Sequence, residues 1–272
     1  MSVKANGVMA PGQALPSEGG LNVVRHAFVV ARRNLKKIPG DPSLLLDATV
    51  MPMIFALMFI YVFGGAIAGT QADYRQFVMP GIMAITITIV ARTTGIALAV
   101  DFSKGVVDRF RTLPIARSAV LSGQVIADVM RMILGQLVIL AFALIIGFRV
   151  HTNMVSVLGA VALLTAFGVA LSWISAFIGL TMRSVQSVET VTTLVMTPLQ
   201  FGTSVFVMPG TMPGWLQVVV EWNPTTLVVD ACRGMLLGGE VAEPTVKAMA
   251  WIAVLLAVFV PLSVRAYSRR RN

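Results

Sequence analysis

The chain has 272 residues, of which 57% are hydrophobic and only 12% are charged. Soluble globular proteins carry about 25% charged residues, so this composition excludes an ordinary water-soluble domain. The net charge of +9 does not indicate nucleic acid, because Lys and Arg also accumulate in the cytoplasmic segments of membrane proteins. Apolar runs of roughly 20 residues recur without the strict alternation of a barrel, and they predict an all-α polytopic membrane protein.

Two segments precede the apolar runs. Residues 1–20 are rich in Pro and Gly and lack an apolar core, which predicts a disordered cytoplasmic tail. Residues 21–38 repeat apolar side chains at spacings of three and four, with basic residues on the other faces. This pattern favours an amphipathic helix lying in the membrane interface against anionic lipid headgroups, and an ordinary solvated helix is the alternative.

Six membrane spans are predicted within residues 44–265, followed by a basic cytoplasmic tail at 266–272. The spans are expected near 44–68, 77–100, 120–148, 155–181, 188–207 and 245–265. The third span is longer than a bilayer requires, so its first turns, with Asp128 and Arg131, are expected to project into the cytoplasmic interface.

The distribution of Lys and Arg predicts that both termini are cytoplasmic. With the N-terminus inside, the inner segments carry fifteen of these residues and the outer segments carry four, with Arg92 and Arg131 left out as intramembrane or borderline. The four outer ones are Arg75, Arg149, Arg233 and Lys247.

A charged segment, DFSKGVVDRFRTLPIAR at 101–117, separates the second span from the third. Its apolar residues beside charged ones predict a short amphipathic helix that Pro114 stops. We expect this cytoplasmic loop to dock a partner outside the membrane and to transmit movement to spans two and three. The expected contact residues are Asp101, Val106, Val107, Asp108, Arg109, Phe110, Arg111 and Pro114.

Polar residues also occur at membrane depth. In span five they follow one helix face at spacings of three and four, and they are Thr190, Thr193, Thr197, Gln200 and Ser204. Lipid disfavours such a face, which therefore either lines a substrate path or packs against another helix. Arg92 in span two is expected to extend to the interface or to find a partner, for which Glu189 is a candidate.

Small residues form one face of span four and permit another helix to pack closely. These residues are Gly168, Ser172, Ser175 and Gly179.

The apolar segment 208–240 is divided by Pro213, Asn223–Pro224 and Gly238 into pieces too short to cross a bilayer. Asn223 suits a helix N-cap, Pro224 the first turn and Gly238 a stop. We therefore expect two short helices in a re-entrant or interfacial hairpin on the outer side. Asp230 and Arg233, three residues apart, are expected to pair on it.

Several kinds of chemistry have no motif in this sequence. There is no GxxxxGK[ST] loop for a nucleotide, no HExxH and no GxSxG. The single cysteine excludes an internal disulfide, and His26 and His151 are placed on opposite sides of the membrane, so no metal site is expected. A proton-coupled carrier needs a buried acid near the midplane. The candidate acids Asp47, Asp101, Asp128 and Glu189 all map near the cytoplasmic ends of the spans.

Three stretches carry a family resemblance: FVMPGIMAITITIV, DFSKGVVDRFRTLPIARSAVLSGQVIADVMR and MPGWLQVVVEWNPTTLVVDACRGMLLGG. Across about residues 21–265 the chain resembles the ABC-2 type permease family, and within it the daunorubicin-resistance-like drug exporters of actinobacteria. The residues that match the family's NP…D..R pattern are Asn223, Pro224, Asp230 and Arg233. Those that match its cytoplasmic loop, where Glu and Leu are frequent at the positions of Asp108 and Phe110, are Asp108, Arg109, Arg111 and Pro114.

The resemblance implies a six-span permease subunit that pairs with a second permease, identical or homologous. It also implies docking on a separate nucleotide-binding ATPase through helix 21–38 and loop 101–117. That ATPase would bind ATP and Mg, and this chain would bind no cofactor. Substrate would leave the cell between the paired permeases along spans two and five, past the outer hairpin.

Two other classes of function remain as alternatives. An ion-gradient-driven secondary transporter would require an acidic residue near the membrane midplane. A membrane enzyme or assembly factor without an ATPase would require a set of catalytic residues or act on a lipid-soluble substrate. We therefore expect the permease subunit of an exporter in the bacterial plasma membrane, with no enzymatic activity of its own. A lipophilic drug, a polyketide, a lipid or a lipid-linked glycan would each suit such a protein.

Overall fold

The computed structural model describes the backbone of residues 42–103 and 117–269 and the side chains of residues 49–103 and 127–267. Within these ranges the chain is helical and contains no strand. The α-helices are α1 (Pro42–Met58), α2 (Gly64–Ala68), α3 (Gln71–Ser103), α4 (Arg117–Ile145), α5 (Met154–Thr181), α6 (Val185–Phe201), α7 (Gly214–Trp222), α8 (Pro224–Leu237) and α9 (Ala242–Arg269). A π-helical turn, Phe59–Phe63, joins α1 to α2, and a 3-10 turn, Pro209–Thr211, precedes α7.

Some predicted segments lie outside the described residues. These are the tail 1–20, the interfacial helix 21–38 and residues 104–116 of the docking loop. The first three residues of that loop, including Asp101, form the last turn of α3, and Arg117 begins α4.

Five helical segments in the described part of the chain are long and apolar enough to cross a bilayer. They are Thr49–Ala68, Gln71–Ser103, Ala127–Ile145, Met154–Thr181 and Ala242–Tyr267. Each coincides with a predicted span, so the prediction of an all-helical, multi-pass membrane protein is confirmed.

The central element is α3. Every residue from 78 to 88 is buried, so the middle of this helix has no face toward lipid. It packs against α1, α4, α5, α6 and α8, which form a layer of helices around it. Because α3 contacts so many elements, any shift of this helix must be accommodated by most of the bundle.

The helices α3 and α5 approach each other closely, as the small-residue face of span four predicts. A Cβ atom added to Gly95 would lie 2.1 Å from the Ser175 carbonyl oxygen, and one added to Gly179 would lie 2.4 Å from the Gly95 carbonyl oxygen. Ser175 Oγ accepts from Gly95 N at 3.0 Å and donates to Arg92 O at 3.0 Å. Two backbones in contact are therefore joined by a serine hydroxyl.

The fifth predicted span, 188–207, is only partly helical. The helix α6 has 17 residues, which corresponds to about 25 Å and is shorter than the roughly 30 Å hydrocarbon core. Pro198 lies in its last turns and lacks an N–H, and Gly202 caps its end, donating to Pro198 O at 2.9 Å. Residues 203–206 continue as buried, non-helical chain. The expectation that residues 202–207 extend the helix is wrong.

The prediction of two short helices within 208–240 is confirmed by α7 and α8. Asn223 is the N-cap of α8, and its side chain accepts from Thr225 N at 2.8 Å. Pro224 occupies the first turn, and Gly238 ends the helix with a positive φ of 86°. That conformation is accessible to glycine without strain, which explains why the helix stops there.

Candidate functional site

An open groove of about 600 Å³ runs along one face of α6. Five of its seven lining residues are polar, and the lining consists of Gln186, Glu189, Thr190, Thr193, Leu194, Thr197 and Pro198. Three of the five residues predicted to form a polar stripe therefore share this groove, namely Thr190, Thr193 and Thr197. The opposite face of α6 carries Val188 and Met196, which are buried in the core.

Arg92 connects the groove to the central helix. Its Nη2 donates to Thr193 Oγ1 at 3.1 Å, and the side chain is half-buried between α3 and α6. The suggested pairing with Glu189 is wrong, because the ion pairs among the described residues are Arg131–Asp128, Arg233–Asp230 and Lys247–Glu243. Arg92 therefore binds a hydroxyl group of α6 and forms no ion pair with Glu189.

The other two residues of the predicted stripe lie elsewhere. Gln200 is half-buried in the last turn of α6, and its carbonyl accepts from Thr203 Oγ1 at 3.0 Å. Ser204 is buried in the non-helical segment after the helix. The reason is the helix end at Gly202, beyond which helical spacing no longer predicts a common face.

Arg233 is the hub of a second polar site, where α8 meets the non-helical segment. Its Nη1 donates to Asp230 Oδ1 at 2.6 Å and to Ser204 Oγ at 3.1 Å. Its Nη2 donates to Ser204 O at 2.7 Å and to Val205 O at 3.3 Å. Its Nε donates to Phe77 O at 3.0 Å, and the guanidinium lies 3.9 Å from the centre of the Phe77 ring. The predicted Asp230–Arg233 pair is confirmed, within a larger network.

Other side chains satisfy the remaining polar groups around the end of α6. Asn223 Nδ2 donates to Gly202 O at 2.7 Å and to Leu199 O at 3.4 Å, so one amide caps both α6 and α8. Tyr74 Oη donates to Phe206 O at 2.9 Å, and Thr226 Oγ1 accepts from Ser204 N at 3.2 Å. Non-helical backbone at membrane depth requires such internal partners, because lipid offers none.

Sequence reasoning did not assign Tyr74, Ser204 or Thr226 to this network. Pro198 followed by Gly202 could have indicated that the helix ends inside this apolar run. A helix that ends there exposes carbonyl groups, and Arg233 is the nearby basic residue with enough donors to satisfy several of them. The residues that complete the network come from distant parts of the chain and have no sequence signature.

A third polar cluster joins α3 to α4. Asp128 is only 1% exposed, and its carboxylate accepts from Thr94 Oγ1 at 2.8 Å and from Arg131 Nη1 at 2.7 Å. Asp128 is therefore held inside the bundle by a hydroxyl group of α3. Its expected place at the cytoplasmic interface stays a prediction.

Of the residues expected to dock an ATPase, only Asp101 is described, and it is half-buried in the last turn of α3. Val106, Val107, Asp108, Arg109, Phe110, Arg111 and Pro114 lie outside the described residues. Among the residues that the structure describes, no three His, Cys, Asp or Glu side chains cluster to form a metal site.

Comparison with known proteins places the chain in a family. The model of the ABC-2 type transporter family matches residues 25–237. The chain is 38% identical over 231 residues to the daunorubicin resistance ABC transporter permease protein DrrB1 of Streptomyces coeruleorubidus, covering 85% of this chain and 81% of that protein. It is 24% identical over 243 residues to the probable doxorubicin resistance ABC transporter permease protein DrrC of Mycobacterium tuberculosis, covering 89% and 88%. It is 22% identical over 223 residues to the inner membrane transport permease YadH of Escherichia coli, covering 78% and 85%. The chain belongs to the ABC-2 type transporter family and is a multi-pass membrane protein of the transport permease type.

Proposed function

We propose that this chain is the membrane-spanning permease subunit of an ATP-driven exporter whose ATP is hydrolysed by a separate nucleotide-binding subunit. Its relatives are named as ABC transporter permeases, and its own sequence has no phosphate-binding GxxxxGK[ST] loop. In this proposal the partner subunit binds ATP and Mg, and the permease supplies the path through the membrane.

The observation that carries the proposal is the open polar groove on α6. Three threonines and a glutamate of α6 line this groove, and Arg92 of α3 binds one of the threonines. Polar groups at that depth are costly against lipid, so a substrate or a second permease subunit must cover them. We propose that two permease subunits, identical or homologous, face each other across this groove and that the substrate passes between them.

A lipophilic drug is the substrate class that we propose. The groove combines hydroxyl groups with Leu194 and Pro198, which suits a molecule with an apolar body and several polar substituents. Two relatives are named for resistance to daunorubicin and doxorubicin, which are drugs of this type. A polyketide, a lipid or a lipid-linked glycan shares the same general chemistry.

We further propose that α6 and the segment after it also cross the membrane, as span five in chain order, which brings the number of spans to six. The helices α7 and α8 would form a re-entrant hairpin on the outer side. The end of α8 contacts the connection between α4 and α5, where His151 N donates to Leu236 O at 3.0 Å and Thr152 Oγ1 to Met235 O at 2.5 Å. The C-terminal end of α3 and the start of α4 lie at the other end of the bundle. The excess of Lys and Arg then supports cytoplasmic termini in the plasma membrane.

Loop 101–117 and helix 21–38 are the proposed contacts with the ATPase. The Thr94–Asp128–Arg131 cluster lies on the two helices that this loop connects. A buried, hydrogen-bonded ion pair of this kind favours movement of α3 and α4 together when the ATPase closes.

Leucine substitutions in the groove test the substrate path. Removing one substrate hydrogen bond of about 0.5–1.5 kcal/mol lowers affinity roughly 3- to 10-fold, so Thr193→Leu and Thr197→Leu should reduce export by that factor. Drug efflux from cells that co-express the ATPase is the measurement, with permease abundance determined by immunoblot. Val195→Leu, on the same helix but outside the groove, is the matched control. Unchanged efflux of every tested drug in both groove variants would show that these threonines serve only packing.

A further inference from the structure

A second open cavity of about 600 Å³ lies between the C-terminal ends of α5 and α9. It shares no lining residue with the α6 groove, and it is lined by Phe177, Leu180, Thr181, Arg183, Leu262, Arg265 and Ala266. Four of these residues, Phe177, Leu180, Leu262 and Ala266, are apolar, and we call them the apolar floor. The polar ones are Thr181, Arg183 and Arg265.

The two helices that form the cavity are fixed to each other. Phe177 of α5 and Phe259 of α9 meet edge to face, with ring centres 6.0 Å apart at 64°. Ser263 Oγ donates to Trp173 O at 3.2 Å, which adds a second link between the two helices. The apolar floor is therefore a preformed slot and not a gap between independently moving helices.

The arginines at its mouth lack partners within the described part of the chain. Arg183 and Arg265 are both exposed, and neither takes part in the ion pairs formed there. No Asp or Glu among the residues with described side chains lines the cavity. Within that part of the chain, two cations without an acidic partner thus stand at the mouth of an apolar slot, where the membrane-length segments of α5 and α9 end.

We propose that this cavity binds an anionic phospholipid. The phosphate lies between the guanidinium groups of Arg183 and Arg265, which bind phosphate oxygens through paired N–H donors. One acyl chain lies along Phe177, Leu180 and Leu262. Basic pockets between membrane helices have the charge and the depth that match such headgroups. The inference requires only that the chain is in a bilayer, so it stands independently of the proposed export function.

Free phosphate and zwitterionic lipid fit the site less well. Inorganic phosphate would leave the apolar floor exposed, whereas phosphatidylcholine would bring a third cation to two arginines. The charge of the arginines and the apolar floor therefore both favour an anionic phospholipid over the other two ligands. Separate substitutions can remove each feature.

Native mass spectrometry of the detergent-purified chain tests the proposal. Phosphatidylglycerol should remain bound more strongly than phosphatidylcholine with the same acyl chains, and millimolar inorganic phosphate should not displace it. Since each basic residue contributes about 1 kcal/mol to attraction for anionic lipid, Arg183→Gln/Arg265→Gln should weaken phosphatidylglycerol binding about tenfold or more.

Three further variants separate charge, shape and folding. Arg149→Gln removes an exposed arginine at the opposite end of the bundle and should leave phosphatidylglycerol binding unchanged. Arg183→Lys/Arg265→Lys keeps the charge but lacks the paired N–H donors, so it should bind phosphatidylglycerol more weakly than the native chain and more strongly than the glutamine variant. Binding above that of the glutamine variant excludes misfolding as the cause of the loss. Ala266→Trp fills the slot and should weaken binding with both arginines present. Equal binding of the two lipids, displacement by inorganic phosphate, or full binding by the glutamine variant would overturn the proposal.

Discussion

At the scale of single residues, Arg233 donates hydrogen bonds to backbone carbonyl groups, as backbone N–H groups do in a continuous helix. The chain leaves helical geometry at Gly202, and the guanidinium of Arg233 then binds carbonyl oxygens of Ser204, Val205 and Phe77. A planar group with five N–H donors can reach three carbonyls and Asp230 at once, whereas a lysine ammonium has three donors and no fixed plane. The NP…D..R pattern is therefore explained here by the need for hydrogen-bond donors to the backbone carbonyl groups that follow the end of α6.

Replacing Arg233 with Met should destabilise the protein strongly. The substitution keeps an apolar stem but leaves three carbonyls and a carboxylate without their donor, at a cost of about 3 kcal/mol or more. Thermal unfolding of the purified protein in detergent should show a much lower midpoint. Arg149→Met, at an exposed position, should change stability by no more than about 0.5 kcal/mol. An unchanged midpoint for the Arg233 variant would mean that water or other groups replace the guanidinium.

At the scale of helices, the contact between α3 and α5 limits how the bundle can change. Gly95 and Gly179 face each other across it, and Ser175 bonds to the α3 backbone. Backbones this close interlock, so α3 and α5 are expected to shift as one body when the protein changes conformation.

Gly95→Ala should therefore separate two helices even though alanine is the better helix former. The new methyl group would overlap the Ser175 carbonyl oxygen at 2.1 Å, and such overpacking costs about 1–3 kcal/mol. Gly65→Ala in α2 is the matched control, since no atom lies within 4 Å of its added Cβ and the helix gains stability. Unfolding midpoints should fall for the first variant and stay level or rise for the second. The opposite order would contradict the packing described for α3 and α5.

The helices also show what sequence alone could predict. Apolar runs located the membrane-length helices, and Asn223, Pro224 and Gly238 located α8, because these signals are local. The early end of α6 was missed because hydropathy continues through residues 202–207, and a tertiary contact with Arg233 makes the break tolerable. The burial of Asp128 and the partner of Arg92 were missed for the same reason, since Thr94 and Thr193 come from other helices.

At the scale of the whole molecule, the three polar sites meet on α3. Arg92 reaches the α6 groove, Thr94 binds the α4 ion pair, and Phe77 and Tyr74 contact the Arg233 network. A movement imposed near the end of α3 would therefore reach both the groove and α8. This arrangement is consistent with the proposal that a separate ATPase moves the subunit from outside the membrane.

The most direct test is drug transport by the chain reconstituted in lipid vesicles, alone and with its nucleotide-binding partner. The partner is to be taken from a neighbouring reading frame, and transport is to be measured with ATP, without ATP, and with an imposed proton gradient. The account predicts ATP-dependent drug transport only when both proteins are present, and none from the permease alone under any gradient. Drug movement driven by a proton gradient through the permease alone would contradict it.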